Sequence, residues 1–486
     1  MSERPSLAIP VMTAIFLAAS GCTPSEPSDS GTGGGAGWGG FPGTGGNAGT
    51  GGTPGTGGTP GTGGTPGTGG TPGTGGTPGT GGTPGTVTID ELGFSSPDLA
   101  ISSDGVAHLV YYSGFAPAKL FYAECKTNCG SRAGWTTTEL DESYFVHEPK
   151  IATGPDGLTH LVWGRSVSAL GSDQVYYASC AGNCAAESSW TGGDISTASL
   201  GGRLDPLGSR LTVGNDGRVS FALSSAGSGG PLVVMTCQSG CEQAAAWSSG
   251  GVRAGSTRLA TTAHGSTLHQ LLNDDSNALV YRRCDANCEA PGSWQESERL
   301  FWHSGRTPTA VAVSGSGVVY AAFNQGLLGS SEPEAAPGDG RLFVERCASD
   351  CMRPSGWTGL MMGPDGEGAD GLSMVTAGEA VVLSASRVGT VTMWACADDC
   401  ADGASWAAGP IDDSQAIASQ WDPYVLAAPS CSGARPSFAG WYANETAVGI
   451  TPSGSALFVH KTRMLVECAG GGMSYVPGFG RIVFLP

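Results

Sequence analysis

Residues 99–135 read LAISSDGVAHLVYYSGFAPAKLFYAECKTNCGSRAGW, and this stretch decides the fold. An apolar run, Leu99-Ala100-Ile101, turns at Asp104-Gly105 into a second run, Leu109-Val110-Tyr111-Tyr112. Asp and Gly tolerate positive φ, so Asp-Gly between alternating apolar runs predicts a hairpin. A third run, Leu120-Phe121-Tyr122, leads into Cys125, followed by Cys129 and Trp135. Thr136 to Leu140 then supply a fourth strand.

The stretch is one copy of a repeat. The spacing Cys, three residues, Cys, five residues, Trp occurs six times, at Cys125-Cys129-Trp135, Cys180-Cys184-Trp190, Cys237-Cys241-Trp247, Cys284-Cys288-Trp294, Cys347-Cys351-Trp357 and Cys396-Cys400-Trp406. Each copy follows a short β-like run, and upstream turns recur at Asp156-Gly157, Asp216-Gly217, His264-Gly265, Gly315-Ser316-Gly317 and Ala377-Gly378. First cysteines are 47 to 63 residues apart. Four strands per unit at this period predict the blades of a β-propeller.

A seventh unit without the cysteine pair begins at Asp422-Pro423, with strands expected near Tyr424 to Ala427, Pro436 to Tyr442, Ala447 to Ile450 and Ala456 to His460. Val87-Thr88-Ile89-Asp90-Glu91 reads as a stray fourth strand that completes this last blade and closes the ring. The expectation is an all-β propeller of seven four-stranded blades over residues 87–486. Six or eight blades stay open, because Lys461 to Pro486 holds more strand than one blade needs.

Fifteen cysteines divide into one near the N-terminus, twelve in the repeats, and Cys431 and Cys468, which are left to pair with each other. In an exported chain an even remainder reads as disulfides: Cys125-Cys129, Cys180-Cys184, Cys237-Cys241, Cys284-Cys288, Cys347-Cys351, Cys396-Cys400 and Cys431-Cys468. Zinc is disfavoured, since each pair offers two ligands and no histidine sits at a fixed offset from it. The six repeated tryptophans read as core residues of their blades.

Outward from the repeats, the chain begins with Arg4, an apolar run from Leu7 to Ala19, and Ser20-Gly21-Cys22. The run is too short for a bilayer span and reads as an export signal, residues 1–21. Leu17-Ala18-Ala19-Ser20-Gly21-Cys22 resembles a bacterial lipobox, although Ala19 stands where Leu is preferred. That resemblance implies a lipid on Cys22 and a membrane as partner, with Thr23, rather than Asp, leaning towards the outer membrane or cell surface.

Residues 22–86 form a tether in which Gly-Gly-Thr-Pro-Gly-Thr repeats six times from Gly51 to Thr86. Such a composition cannot offset backbone entropy by burial. As a Gly-rich coil it reaches about 45 Å r.m.s..

The net charge of −19, with only four lysines, argues against nucleic acid, which needs clustered Lys and Arg. No Gly-x-Ser-x-Gly elbow, His-Glu-x-x-His or phosphate loop occurs. No cofactor is expected. Asp398-Asp399 and Asp412-Asp413 are the candidates for structural calcium, although lone acidic pairs in loops are more often solvated. His108 and His160 share a repeat position, which favours packing over catalysis.

Binding residues collect on loops held by a rigid scaffold. The inter-blade and second-to-third-strand loops include Glu142 to Glu148, Trp163 to Gly171, Phe301 to Arg306, Gln325 to Gly340 and Gln415 to Trp421. Their candidate ligand contacts are Tyr144, His147, Trp163, Arg165, Trp302, His303, Arg306 and Trp421. An aromatic and arginine rim suits a sugar or a protein loop.

The order of apolar run, Asp-Gly, His-Leu-Val-Tyr or His-Leu-Val-Trp, and then Phe-Tyr-Ala resembles the repeats of bacterial sialidase-like (BNR-type) propellers. The resemblance covers about 400 residues at the level of fold. The Arg-Ile-Pro motif and full Asp-boxes of that family are missing here, so no catalytic residue carries over. The first expectation is a monomeric, non-catalytic surface module for a glycan or protein ligand. A sialidase-like glycan hydrolase or lyase, and a purely structural surface protein, are the alternatives.

Overall fold

The structure is a computed structural model that describes residues 85–89 and 94–485, apart from 115–116, 167–172, 197–203, 206–209, 226–231, 254–257, 275–277, 303–307, 326–340, 363–367, 388–389, 398–399, 414–436, 469–471 and 477–478. The chain divides into two units, Met1–Gly76 and Thr77–Pro486. The first lies wholly outside the described residues, and with it the signal, Cys22 and most of the tether.

The second unit is a seven-bladed β-propeller of antiparallel blades. Blade 1 consists of strands Ser95–Ile101, Ala107–Ser113, Ala118–Cys125 and Trp135–Ser143, in sequence order. Blades 2 to 6 repeat this order, beginning at Phe145, Leu204, Arg258, Thr309 and Gly371. The first strand of each blade touches the first strands of its two neighbours, and that of blade 7, Ser437–Ile450, touches that of blade 1, so the ring closes.

Turn glycines 105, 157, 217, 265, 317 and 378 all have positive φ, as the Asp-Gly reading requires. An apolar cluster fills each of the seven blade interfaces, from Leu99 with Val459 between blades 7 and 1 to Val382 with Val448 between blades 6 and 7. The inner strands thus pack on both faces, one against the blade before and the other against the blade after, while the outermost strands stay largely exposed.

The strand expected at Val87 is Gly85–Ile89, and it pairs with the C-terminal strand Gly480–Leu485 from Gly85 opposite Phe484 to Ile89 opposite Gly480. It begins two residues before the expected boundary, so Gly85 and Thr86 belong to the ring. Blade 7 departs further from expectation. Pro436 to Tyr442 and Ala447 to Ile450 were expected as separate strands, but Ser437–Ile450 is one strand. Irregularities in its register at Phe438/Gly440 and Ala443/Thr446 carry it past the polar residues. The surplus strand in the tail is Gly472–Val476, which pairs with the far end of the long strand Ala456–Cys468. The strand expected at Tyr424 to Ala427 lies outside the described residues.

Six disulfides join the repeated cysteine pairs, Cys125–Cys129 through Cys396–Cys400. Each loop leads into a 3-10 turn and then the motif tryptophan, whose indole N–H donates to the carbonyl of the second cysteine, at 2.9 Å from Trp135 to Cys129 and 2.6 Å from Trp247 to Cys241. All six copies make this bond. The fixed five-residue interval is therefore the span of this ring of contacts. Cys431 lies outside the described residues, and its pairing with Cys468 with it.

Candidate functional site at the ring axis

Three first strands carry an irregularity at nearly the same distance before their turn glycine. Register shifts lie between Ser95 and Asp98 in blade 1, His147 and Lys150 in blade 2, and Ala443 and Thr446 in blade 7. Bulges re-aim side chains and leave residues outside the ladder. Ser96 (φ 48°) and Glu148 (φ 39°) sit in the left-handed region, an unfavourable place for non-glycine residues.

The result is a chain of polar contacts across blades 7, 1 and 2. Lys461 donates to Ser95 Oγ and to Glu445 Oε1, the latter at 2.8 Å. The Ser96 amide donates to the other oxygen of Glu445, and its hydroxyl donates to Glu148 Oε1 at 3.1 Å. Lys150 Nζ lies 3.3 Å from Glu148 Oε2. The two carboxylates therefore converge on one serine from neighbouring blades, each with its own lysine. The glutamates keep an open side, at 33% and 28% exposure for Glu148 and Glu445, while the lysines are far more buried.

A second layer lies two residues further along. Asp98, Lys150 and Arg210 each stand seven residues before the turn glycine of their blades, at Gly105, Gly157 and Gly217. Asp98 Oδ2 accepts from the Ile151 amide at 2.9 Å, joining blade 1 to blade 2. Arg210 of blade 3 donates to Ser373 Oγ of blade 6 at 2.6 Å, and Ser373 also accepts from the Val448 amide of blade 7. Blades 3 and 6 are not neighbours, so the arginine crosses the axis.

Burial pushes the Lys150 ammonium down, but Glu148, Asp98 and Glu445 outweigh it and hold its pKa above the ordinary lysine value. Burial, with the Glu445 and Glu148 carboxylates, raises the Tyr112 phenol. Both groups stay protonated near neutrality, and Lys150 donates to Glu148. Burial lowers the Arg210 pKa against the opposing Asp98 carboxylate.

Of the residues singled out from sequence, four are described with side chains, and all lie at one end of blade 2. Tyr144 is exposed (37%) and packs edge-on against Phe145, which in turn lies 5.8 Å from His147. These aromatics run directly into Glu148. Arg165 pairs with Asp141 at 3.5 Å and lies over the Tyr176 ring, while Trp163 is buried and donates to Asp141 at 3.0 Å. Trp302 pairs with Ala278 on an edge strand, and nothing further is described for it. His303, Arg306 and Trp421 lie outside the described residues.

Asp412 is not placed for calcium. It is buried, and it binds Arg481 through both oxygens and His460 Nε2 at 3.0 Å. Asp398 and Asp399 lie outside the described residues, among which no cluster of three or more His, Cys, Asp or Glu could hold a metal.

No protein-family model matches the sequence, and no curated protein is similar to it. Among solved structures the chain is similar to a Hadza microbial sialidase (TM-score 0.45, 9% identity), with 61% of this chain and 63% of that one covered, so it spans less than two thirds of that protein. It is also similar to a polysaccharide lyase of family PL25, an ulvan lyase (TM-score 0.48, 10% identity, 81% and 96% covered). A third similar structure is the Aleuria aurantia lectin in complex with Fucα1-6GlcNAc (TM-score 0.39, 14% identity, 65% and 96% covered). At these identities the likeness is one of fold alone.

Proposed function

We propose that this propeller is a non-catalytic binding module for a neutral glycan, taken where the irregular stretches of the first strands of blades 7, 1 and 2 meet. The observation that carries the reading is the convergence of Glu148 and Glu445 on Ser96, each already neutralised by a lysine. Such carboxylates accept hydrogen bonds from hydroxyls without presenting net charge. Tyr144, four residues before Glu148 in sequence, supplies an exposed aromatic face. With Lys150 and Tyr112 held protonated, neither offers a general base. The overall charge of −19 disfavours polyanions.

We further propose that the chain is an exported, monomeric lipoprotein, anchored through Cys22 and displayed on the tether at the outer membrane or cell surface. Cys22→Ser should move it from membrane to soluble fractions and abolish acyl labelling. Retention of the label would remove the anchor from the reading.

The test of binding uses the full chain carrying Cys22→Ser on an array of neutral and acidic glycans. A neutral glycan should bind, and Glu445→Gln or Glu148→Gln should weaken it about tenfold or more. Binding unchanged in both variants would move the ligand elsewhere, and binding of proteins but no glycan would overturn the ligand class. A second reading, a glycan hydrolase or lyase, is favoured by the two carboxylates lying beside a tyrosine. Turnover of a bound glycan, lost in both variants, would establish it in place of the first.

A further inference from the structure

The disulfide-bearing blades depart from their own pattern at one place. Four residues before the first cysteine, five of them carry a bulky apolar side chain: Phe121, Tyr176, Val233, Val280 and Phe343. Blade 6 carries Thr392 there. Two residues further on, where blades 1 and 2 have Ala123 and Ala178, blade 6 has Trp394. The neighbouring strand is also small, with Ala408 opposite Trp394 and Pro410 opposite Thr392.

This exchange opens a cavity of about 390 Å³ between blades 5 and 6, against Leu342 and Met362. Of its polar lining groups, the Ser386 hydroxyl donates to the Gly371 carbonyl and Arg387 already has a partner. All six motif tryptophans donate to a cysteine carbonyl, and Trp163 donates to Asp141. Among the described residues, the Trp394 indole N–H has no partner, and the Thr390 and Thr392 hydroxyls have none either. Among the described residues Trp394 packs on no other ring, and it borders the apolar cluster of blades 5 and 6.

We infer that this cavity is a second ligand site, distinct from the axis, that takes a single neutral sugar ring. A pyranose has an apolar C–H face and a rim of hydroxyls. The indole of Trp394 and the aliphatic wall of Leu342 and Met362 match the face. The indole N–H and the two threonine hydroxyls match the rim, and a buried ligand hydroxyl needs such partners. The volume lies within the usual range for small-ligand pockets, about 300–1,000 Å³.

The test is a titration of the full chain carrying Cys22→Ser with methyl glycosides of neutral sugars, followed through the indole N–H resonance of Trp394. The variants copy what sibling blades already tolerate. Thr392→Val, as in blades 3 and 4, deletes one hydroxyl, and Thr392→Phe, as in blades 1 and 5, fills the space. A glycoside at millimolar concentration should shift the Trp394 resonance, and Thr392→Phe should weaken it about tenfold or more. Glu445→Gln should leave this shift unchanged, so failure at the axis and failure here read separately. The inference is overturned if no neutral glycoside moves the resonance, or if both Thr392 variants bind as the parent does.

Discussion

One residue-level device recurs around the ring and was only half visible in sequence. His108 and His160 share a repeat position, and His269 is its equivalent in blade 4, each lying opposite the residue before its blade's first cysteine. Each Nδ1 contacts the hydroxyl of the tyrosine three residues before its blade's first cysteine, Tyr122, Tyr177 or Tyr281, at 2.6 to 2.7 Å. Each of those tyrosines then meets the edge of a motif tryptophan in the next blade: Trp190, Trp247 or Trp357. Burial pushes His108 and His269 from 6.5 down to about 4. A base with a depressed folded pKa stabilises the fold above its unfolded value and loses that contribution as pH falls. Denaturation midpoints should therefore drop between pH 6.5 and 4, by about 3 kcal/mol per histidine. Flat stability across that window would contradict the buried neutral imidazoles. Glu345 works in the opposite sense. Burial raises it to about 7, so it disfavours folding as pH rises from 4.5 to 7. After allowance for screening at this half-buried site, Glu345→Gln should stabilise the protein by about 1–2 kcal/mol at pH 7.5 and have no effect at pH 4.

At the scale of the element, the cysteine loop is a local clamp. It closes only a five-residue ring, so the chain-entropy gain is about 2 kcal/mol per bridge. Replacing Cys237 and Cys241 by serine should lower stability by about that amount in urea melts while the circular dichroism of the ring persists. Loss of folding on removing one pair would mean that the bridges hold the blades together. What was legible in sequence at this scale was whatever repeats locally: hairpin turns, the cysteine interval, the strand before it. The axial site was not legible, because its members come from blades far apart in sequence. Ser96, Glu148 and Glu445 look like ordinary polar residues in their strands, and only the bulges turn them to one point. A usable signal did exist. Aligning the blades on their turn glycines puts Asp98, Lys150 and Arg210 at a position held by Ala310 in blade 5, and charge at an inner position of a ring asks for partners across it.

At the scale of the molecule, the ring is held shut by pairing its first strand to its last. A chain that begins at Thr77 keeps Gly85–Ile89 and should melt with the parent. A chain that begins at Gly93 leaves the edge of Gly480–Leu485 unpaired and should melt several degrees lower, with raised aggregation. Equal melting of the two would show that the closing strand contributes nothing. The same pairing also orders events in time. Gly85 meets Phe484 across nearly the whole described length, so the first described strand to leave the ribosome is the last that can find its neighbour. Until the C-terminal residues are synthesised, every earlier blade waits in an open arc. Completion of the protein is therefore a single late event, and a chain stopped a few residues short of Gly480 stays unclosed however well its blades are made.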